Sequence, residues 1–98
     1  MELVIIARFH AREGQEIAVE STLREQVPKV RAEPGCLSIT ALRATRDARL
    51  FFIHSRWRDE AAFEIHAELV STQGFVARME SLIDHPFEAN RTMAITGT

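Results

Sequence analysis

Apolar residues crowd the start of the chain. Glu2 to His10, with Leu3, Val4, Ile5 and Ile6 in unbroken succession, is rich in β-branched and apolar side chains and reads as a first strand. Arg12-Glu13-Gly14 ends it. From Gln15 to about Ala32, Val19, Leu23, Val27 and Val30 recur at spacings of four, four and three, which is one face of a helix. Pro28 falls inside that helix, removes a donor to the preceding turn and is expected to kink it. Glu33-Pro34-Gly35 closes the segment. Cys36 to Ala44 and Leu50 to Trp57 read as the second and third strands, joined by the polar turn Thr45-Arg46-Asp47-Ala48. Asp59 is a natural N-cap for a short helix through about Glu68. Ser71 is placed to cap another, with Phe75, Met79 and Leu82 on one face. His85-Pro86 breaks it, and Phe87 to Ile95 fits a fourth strand.

The order is β-α-β-β-α-β with the second helix split, which is the ferredoxin-like arrangement of an α+β protein, an antiparallel sheet with helices on one face. Residues 1–98 are expected to form one domain. A sheet with one wet face should alternate apolar and polar residues. Here the first strand carries Leu3 to Ile6 in sequence, and the third carries Leu50, Phe51, Phe52 and Ile53. Two helices cover one face, so the other needs a cover of its own. A second copy of the sheet supplies it most economically, and a homodimer packed sheet to sheet is expected. Edge loops and arginine side chains are the alternative cover.

Composition narrows the partners. The hydrophobic share of 46% is ordinary for a globular protein. No stretch approaches the roughly 20 apolar residues of a membrane-spanning helix. MELVIIARFH has no basic lead, and Arg8 soon interrupts its apolar run, so a signal peptide is not expected and the cytoplasm is the expected location. Net charge is −2 with the charges scattered, and eleven of twelve basic residues are arginine alternating with glutamates, which argues against a nucleic-acid stripe. A single cysteine, Cys36, excludes an internal disulfide and a cysteine-rich zinc site, and it reads as a small buried residue. Four histidines without close paired spacing give no metal signature. Neither a GxSxG elbow nor a phosphate-cradling glycine loop occurs.

Two segments carry a family likeness. Arg31-Ala-Glu-Pro-Gly-Cys-Leu37 resembles the loop after the first helix of antibiotic biosynthesis monooxygenase domains. Trp57-Arg-Asp-Glu-Ala-Ala-Phe-Glu-Ile-His66 resembles that family's tryptophan, acidic turn, aromatic and histidine segment. Strand order, length and the early Gly14 agree, so the likeness covers nearly the whole chain. The tail Met79-Glu-Ser-Leu-Ile and Pro86 also resemble the enzymes of the same superfamily that degrade phosphorylated autoinducer-2. The resemblance implies a dimeric α+β barrel with a pocket between helices and sheet in each subunit. Its members include quinol and anthrone-type monooxygenases that use neither metal nor flavin, taking only the small-molecule substrate and dioxygen.

The chain also departs from the pattern. Ser55 stands two residues before the tryptophan, where the family usually has glutamate. Val70, Ser71 and Thr72 stand where a proline, a second histidine and an aromatic are common. Haem-degrading relatives need an asparagine and a histidine ligand at positions matching about Ala7 and Val76, so haem degradation by that route is not expected.

Oxygenation without a cofactor needs an electron-rich substrate, a base, an apolar pocket for flat rings and a donor for the developing oxyanion. His66 is the best base, because imidazole titrates near physiological pH. It shares a helix face with Ala62 and Phe63. Its plainer reading is a half-buried histidine bonded to backbone. Trp57 reads as a core anchor at the strand end, or else as an aromatic wall with an indole N–H donor. Ser55 alternates onto the same face and can donate a hydrogen bond, though it cannot act as a carboxylate. Phe9, Phe51, Phe63, Phe75 and Met79 are candidates to line a substrate cavity, or to be ordinary core. Arg8, His54 and Arg56 fall on the opposite face, toward a dimer partner. His10 and His85 lie at element ends and are expected to be exposed.

Three functional readings follow. The first is a cofactor-independent monooxygenase acting on a small aromatic, quinol or polyketide-like compound. The second is an isomerase or degrading enzyme for a small phosphorylated dicarbonyl, which needs arginines such as Arg43 or Arg78 in the pocket. The third is a catalytically silent dimeric module that binds a small ligand. A pocket that is apolar, arginine-lined or filled by phenylalanines separates the three.

Overall fold

Strand alternation sets the two faces of the sheet. In the computed structural model, which describes residues 1–97, β1 runs Leu3–His10, and its Ile5, Ala7 and Phe9 are buried while Ile6 and Arg8 are exposed. β2 (Cys36–Arg43), β3 (Leu50–Trp57) and β4 (Glu88–Thr92) complete one antiparallel sheet in the order β2-β3-β1-β4. Three helices, α1 (Glu16–Arg31), α2 (Glu60–Glu68) and α3 (Val70–Glu80), complete the α+β, ferredoxin-like architecture.

On α1 the expected stripe is present, and Thr22 and Gln26 join Val19, Leu23, Val27 and Val30 among its buried residues. The helix continues through Pro28 to Arg31. Asp59 caps α2 as its sequence position suggests, with Oδ1 accepting from the Ala62 N–H at 2.9 Å. Ser71 does not cap α3. That helix begins one residue earlier at Val70, after Leu69 in an extended conformation, and no side chain caps it. β4 is shorter than expected, because it is an edge strand whose pairing with β1 runs only from Arg8↔Glu88 to Val4↔Thr92. Met93 and Ile95 lie beyond it, exposed.

The core has two clusters. One joins Ala7, Phe9 and Phe51 to Val19, Leu23, Met79 and Ile83; the other joins Ile5, Ile39 and Trp57 to Val27, Val30 and Ala62. Burial of side chains this size contributes about 1.5–3 kcal/mol each. Between α1 and β2, the chain passes Gly35 at a φ of +84°, a conformation that β-carbon-bearing residues adopt at a cost. A β-carbon there would lie 2.6 Å from that of Ala62 on α2. The Arg58 N–H donates to the Gly35 carbonyl at 2.8 Å and fastens the loop to the β3–α2 junction.

Gly35→Ala therefore adds the left-handed backbone cost of about 1–2 kcal/mol to an overlap with α2. Urea unfolding should show a loss of at least that size, and an unchanged midpoint would mean that loop and helix separate freely.

Candidate active site

Between the sheet and the helices lies a cavity of about 220 Å³. The sheet supplies Ile5, Ala7, Phe9, Ile53, Ser55 and Trp57 as its floor, because these positions alternate onto the helix-covered face. Phe63 and His66 come from α2, Thr72, Phe75 and Val76 from α3, and Gln26, Val27 and Val30 from α1. Phe87 and Ala89 close the β4 side. Phe9 holds Phe87 in a stacked pair at 5.5 Å and meets Phe75 edge-on at 6.2 Å.

His66 is the most constrained polar group in this wall. Its Nδ1 lies 2.7 Å from Oε1 of Glu33, and both side chains are largely shielded, at 13% and 14% exposure. The Thr72 hydroxyl approaches the same nitrogen at 3.4 Å. A carboxylate accepts, so Nδ1 is the nitrogen that donates to Glu33, and Nε2 is the one turned away from it. Nε2 has no partner among the described residues. The ring is held by aromatic neighbours, Trp57 at 4.7 Å and Phe63 at 5.4 Å between centroids. Glu33 belongs to the loop that Gly35 seats under α2, so the loop delivers the carboxylate.

Trp57 and Ser55 form a second internal unit. The buried Trp57 indole N–H donates to Ser55 Oγ at 3.0 Å, so it is engaged within the protein while its ring walls the cavity. Ser55 thereby keeps its own hydroxyl proton, for which no acceptor occurs among the described residues. Gln26 is 7% exposed, and its amide likewise has no hydrogen-bonding partner among them. Polar groups on the wall are thus few: His66, Ser55, Gln26 and Thr72.

The expected substrate residues divide. Phe9, Phe63 and Phe75 line the cavity, whereas Phe51 and Met79, 2% and 0% exposed, sit in the core cluster away from it. Among the described residues no arginine lines the cavity. Arg43 pairs with Glu20 at 3.3 Å beside the surface groove between α1 and β2, and Arg78 pairs with Glu25 at 3.1 Å. Arg91 lies outside the wall, its guanidinium 5.2 Å from the Phe63 ring and bonded to Glu60 and Glu64. Glu33 and Gln26 are site residues that sequence reasoning missed. Gln26 carried a signal, a polar residue at the three-and-four spacing of the α1 apolar stripe.

An antiparallel ferredoxin-like sheet, with an apolar cavity and one carboxylate-paired histidine between sheet and helices, defines a small α+β domain with an internal cavity. The chain belongs to the antibiotic biosynthesis monooxygenase family, whose profile matches residues 2–78. It is 32% identical over 72 residues to "Putative monooxygenase YcnE" of Bacillus subtilis (strain 168), covering 74% of this chain and 76% of that one. PA3566 of Pseudomonas aeruginosa has the same fold, with 30% identity, a TM-score of 0.88 and coverage of 97% of this chain and 95% of that one. A single-site mutant of SnoaB, a cofactor-independent oxygenase from Streptomyces nogalater, is similar in fold at 19% identity and a TM-score of 0.87, over 98% and 95% of the two chains. No helix among the described residues is long and apolar enough to cross a membrane.

Ser55→Ala should strand the Trp57 N–H in the interior. A buried donor left without a partner costs about 1–3 kcal/mol, so chemical denaturation should show a loss in that range.

Proposed function

We propose that the chain is a cofactor-independent monooxygenase for a small, flat, electron-rich phenol, quinol or polyketide-like ring, with His66 as its base. His66 on the wall of an apolar cavity, held by the Glu33 carboxylate, carries this reading. The cavity, about 220 Å³, is smaller than the roughly 300–1,000 Å³ of drug-sized sites, which favours a compact, flat ring system. Membership of the family and the fold shared with SnoaB support the same chemistry.

His66 Nε2 takes a proton from the substrate, and the Glu33 carboxylate stabilises the imidazolium that forms. Developing negative charge on the ring oxygen meets the Ser55 hydroxyl and the Gln26 amide, in surroundings where few dipoles compete. The resulting anion passes one electron to dioxygen, and the two radicals join as a substrate peroxide. For an anthrone-type CH₂, loss of water leaves a new carbonyl. One oxygen atom stays on carbon, the other leaves as water, and all four electrons come from the substrate. No external reductant is required.

The phosphorylated-dicarbonyl reading lacks its arginines, since those available are engaged elsewhere. A module that had lost its site altogether would fill the space with its own side chains, whereas a cavity remains between Phe9, Phe63, Phe75 and Phe87; a silent ligand-binding module differs from the enzyme only in lacking turnover. Oxygen uptake by the metal-stripped protein, measured against hydroquinones and anthrone-like phenols, tests the proposal. His66→Ala should lower uptake by about 10²-fold or more, the usual worth of a positioned base. Glu33→Gln should lower kcat by about tenfold with KM little changed, as fits a group acting through the base. Uptake that is indifferent to His66 would end this assignment.

The cytoplasm and a homodimer belong to the same reading. On the sheet face away from the helices, Leu42 and Phe52 are register partners beside Arg8, and Ile6 and Val4 extend the apolar strip. Ile6 is 41% and Leu42 49% exposed in the single chain. Packing this strip against a second copy removes it from water. Phe52→Glu should convert the dimer to monomer in analytical ultracentrifugation; an unchanged sedimentation coefficient would defeat sheet-to-sheet packing.

A further inference from the structure

At the opposite end of β1 from its Leu3 start, the fold gathers charged and imidazole groups that no step above uses. His10 closes β1, Asp47 and Arg49 come from the β2–β3 turn, and Asp84 and His85 follow α3. His10 Nδ1 lies 2.9 Å from each carboxylate oxygen of Asp84, and His85 Nδ1 lies 2.6 Å from Oδ1. The other ring nitrogen of His10, Nε2, faces Asp47 Oδ2 at 3.3 Å. Backbone pairing holds this arrangement. The Asp84 N–H donates to the His10 carbonyl at 3.0 Å, Arg12 N–H donates to the Leu82 carbonyl at 2.8 Å, and Ala11 bridges Ile83.

Two carboxylates and two imidazoles meet in this cluster. A neutral imidazole carries one N–H. His10 turns both nitrogens toward carboxylates, so one contact sets a lone pair against negative oxygen unless a second proton or a metal ion lies between. Arg49 Nη2, at 3.8 Å from Asp84, is too distant to fill that gap. We propose that His10, Asp84 and His85 form a binding site for a divalent transition-metal ion of the zinc class.

The ligand atoms of these three residues lie within 4.8 Å of one another. Zinc bonds of about 2.0–2.2 Å place tetrahedral ligands roughly 3.3 Å apart, so small side-chain rotations complete the set, with water as fourth ligand. Two imidazoles and a carboxylate suit zinc better than magnesium or calcium. Asp47 Oδ2, 3.3 Å from Nε2, is placed to take that nitrogen's proton when Nδ1 faces the ion, the usual outer-shell carboxylate of a metal-bound histidine. Partial desolvation of the Asp84 carboxyl is outweighed by hydrogen bonds and charge from the two histidines, which hold it below the ordinary aspartate range. A bound ion would fasten the α3–β4 connection, which carries the cavity residue Phe87, to the end of β1.

The site is separate from His66 and is tested by titrating zinc into the metal-stripped, tag-free chain. One zinc per chain is expected. His85→Ala and Asp84→Asn should each weaken binding by at least about tenfold, and Asp47→Asn by about tenfold, as losing an outer-shell partner does. His54→Ala should leave it unchanged. His85 is 73% exposed, so its replacement does not endanger folding. Absence of saturable binding, or a site that survives either His85→Ala or Asp84→Asn, would overturn the proposal.

Discussion

The loop between α1 and β2 can lie against α2 only because Gly35 has no β-carbon, and the arrangement of the cavity follows from that approach. With 2.6 Å between a β-carbon at position 35 and that of Ala62, any other residue pushes the helix outward. Glu33, two residues earlier, then loses its reach to His66. That ring would remain among Trp57 and Phe63 without a charged partner, and its tautomer would be free to change. A backbone conformation thus decides a side-chain hydrogen bond some distance away. The energetic link is short: one glycine, one loop hydrogen bond from Arg58, one charge-assisted contact.

The polar groups of the cavity differ in how they are engaged, and this difference organises its chemistry. The Trp57 N–H is satisfied internally, so the indole contributes shape and a low-dielectric wall. Ser55 is half satisfied, accepting from Trp57 while its own proton stays available. Gln26 has no partner among the described residues. No fully buried side-chain nitrogen or oxygen among the described residues lacks a partner, so the Gln26 amide stays accessible and open to a ligand. Cavities also cost stability through lost contacts. A domain of this size that keeps about 220 Å³ open between four phenylalanines is under-packed where a ligand would restore the contacts.

Much of the fold is legible in the sequence because its signals are local and periodic. The α1 stripe, the Asp59 cap and the 50–57 strand each depend on neighbours within a few residues. The misses have equally physical causes. β4 ends sooner than its composition suggests, because strand propensity says nothing about where β1, its pairing partner, runs out. Ser71 satisfies the composition of a cap, yet the chain turns at Leu69. In the site, strand alternation puts Ser55 and Trp57 on one face, while His66 stands out through the family resemblance of the Trp57–His66 segment rather than through any periodicity. Phe51 and Met79 are indistinguishable from Phe9 and Phe75 by residue type, since a core and a cavity wall are made of the same side chains. The Glu33–His66 pair spans 33 positions and the His10–Asp84 pair 74, and no periodicity connects such residues.

Continuous apolar strands carry more information than an alternating pattern would. Ile5, Ala7 and Phe9 account for one face of β1, under the helices. Val4 and Ile6 belong to the other, and with Leu42 and Phe52 they form a strip flanked by Arg8 and His54. The flanking charges matter as much as the apolar centre. A strip this broad with no charged border invites unspecific association, whereas apolar contact bounded by arginine and histidine fixes a register through hydrogen bonds at its rim. The two faces of the sheet therefore answer to different demands. The helix side keeps a cavity, whereas the far side leaves Ile6 and Leu42 exposed in the single chain.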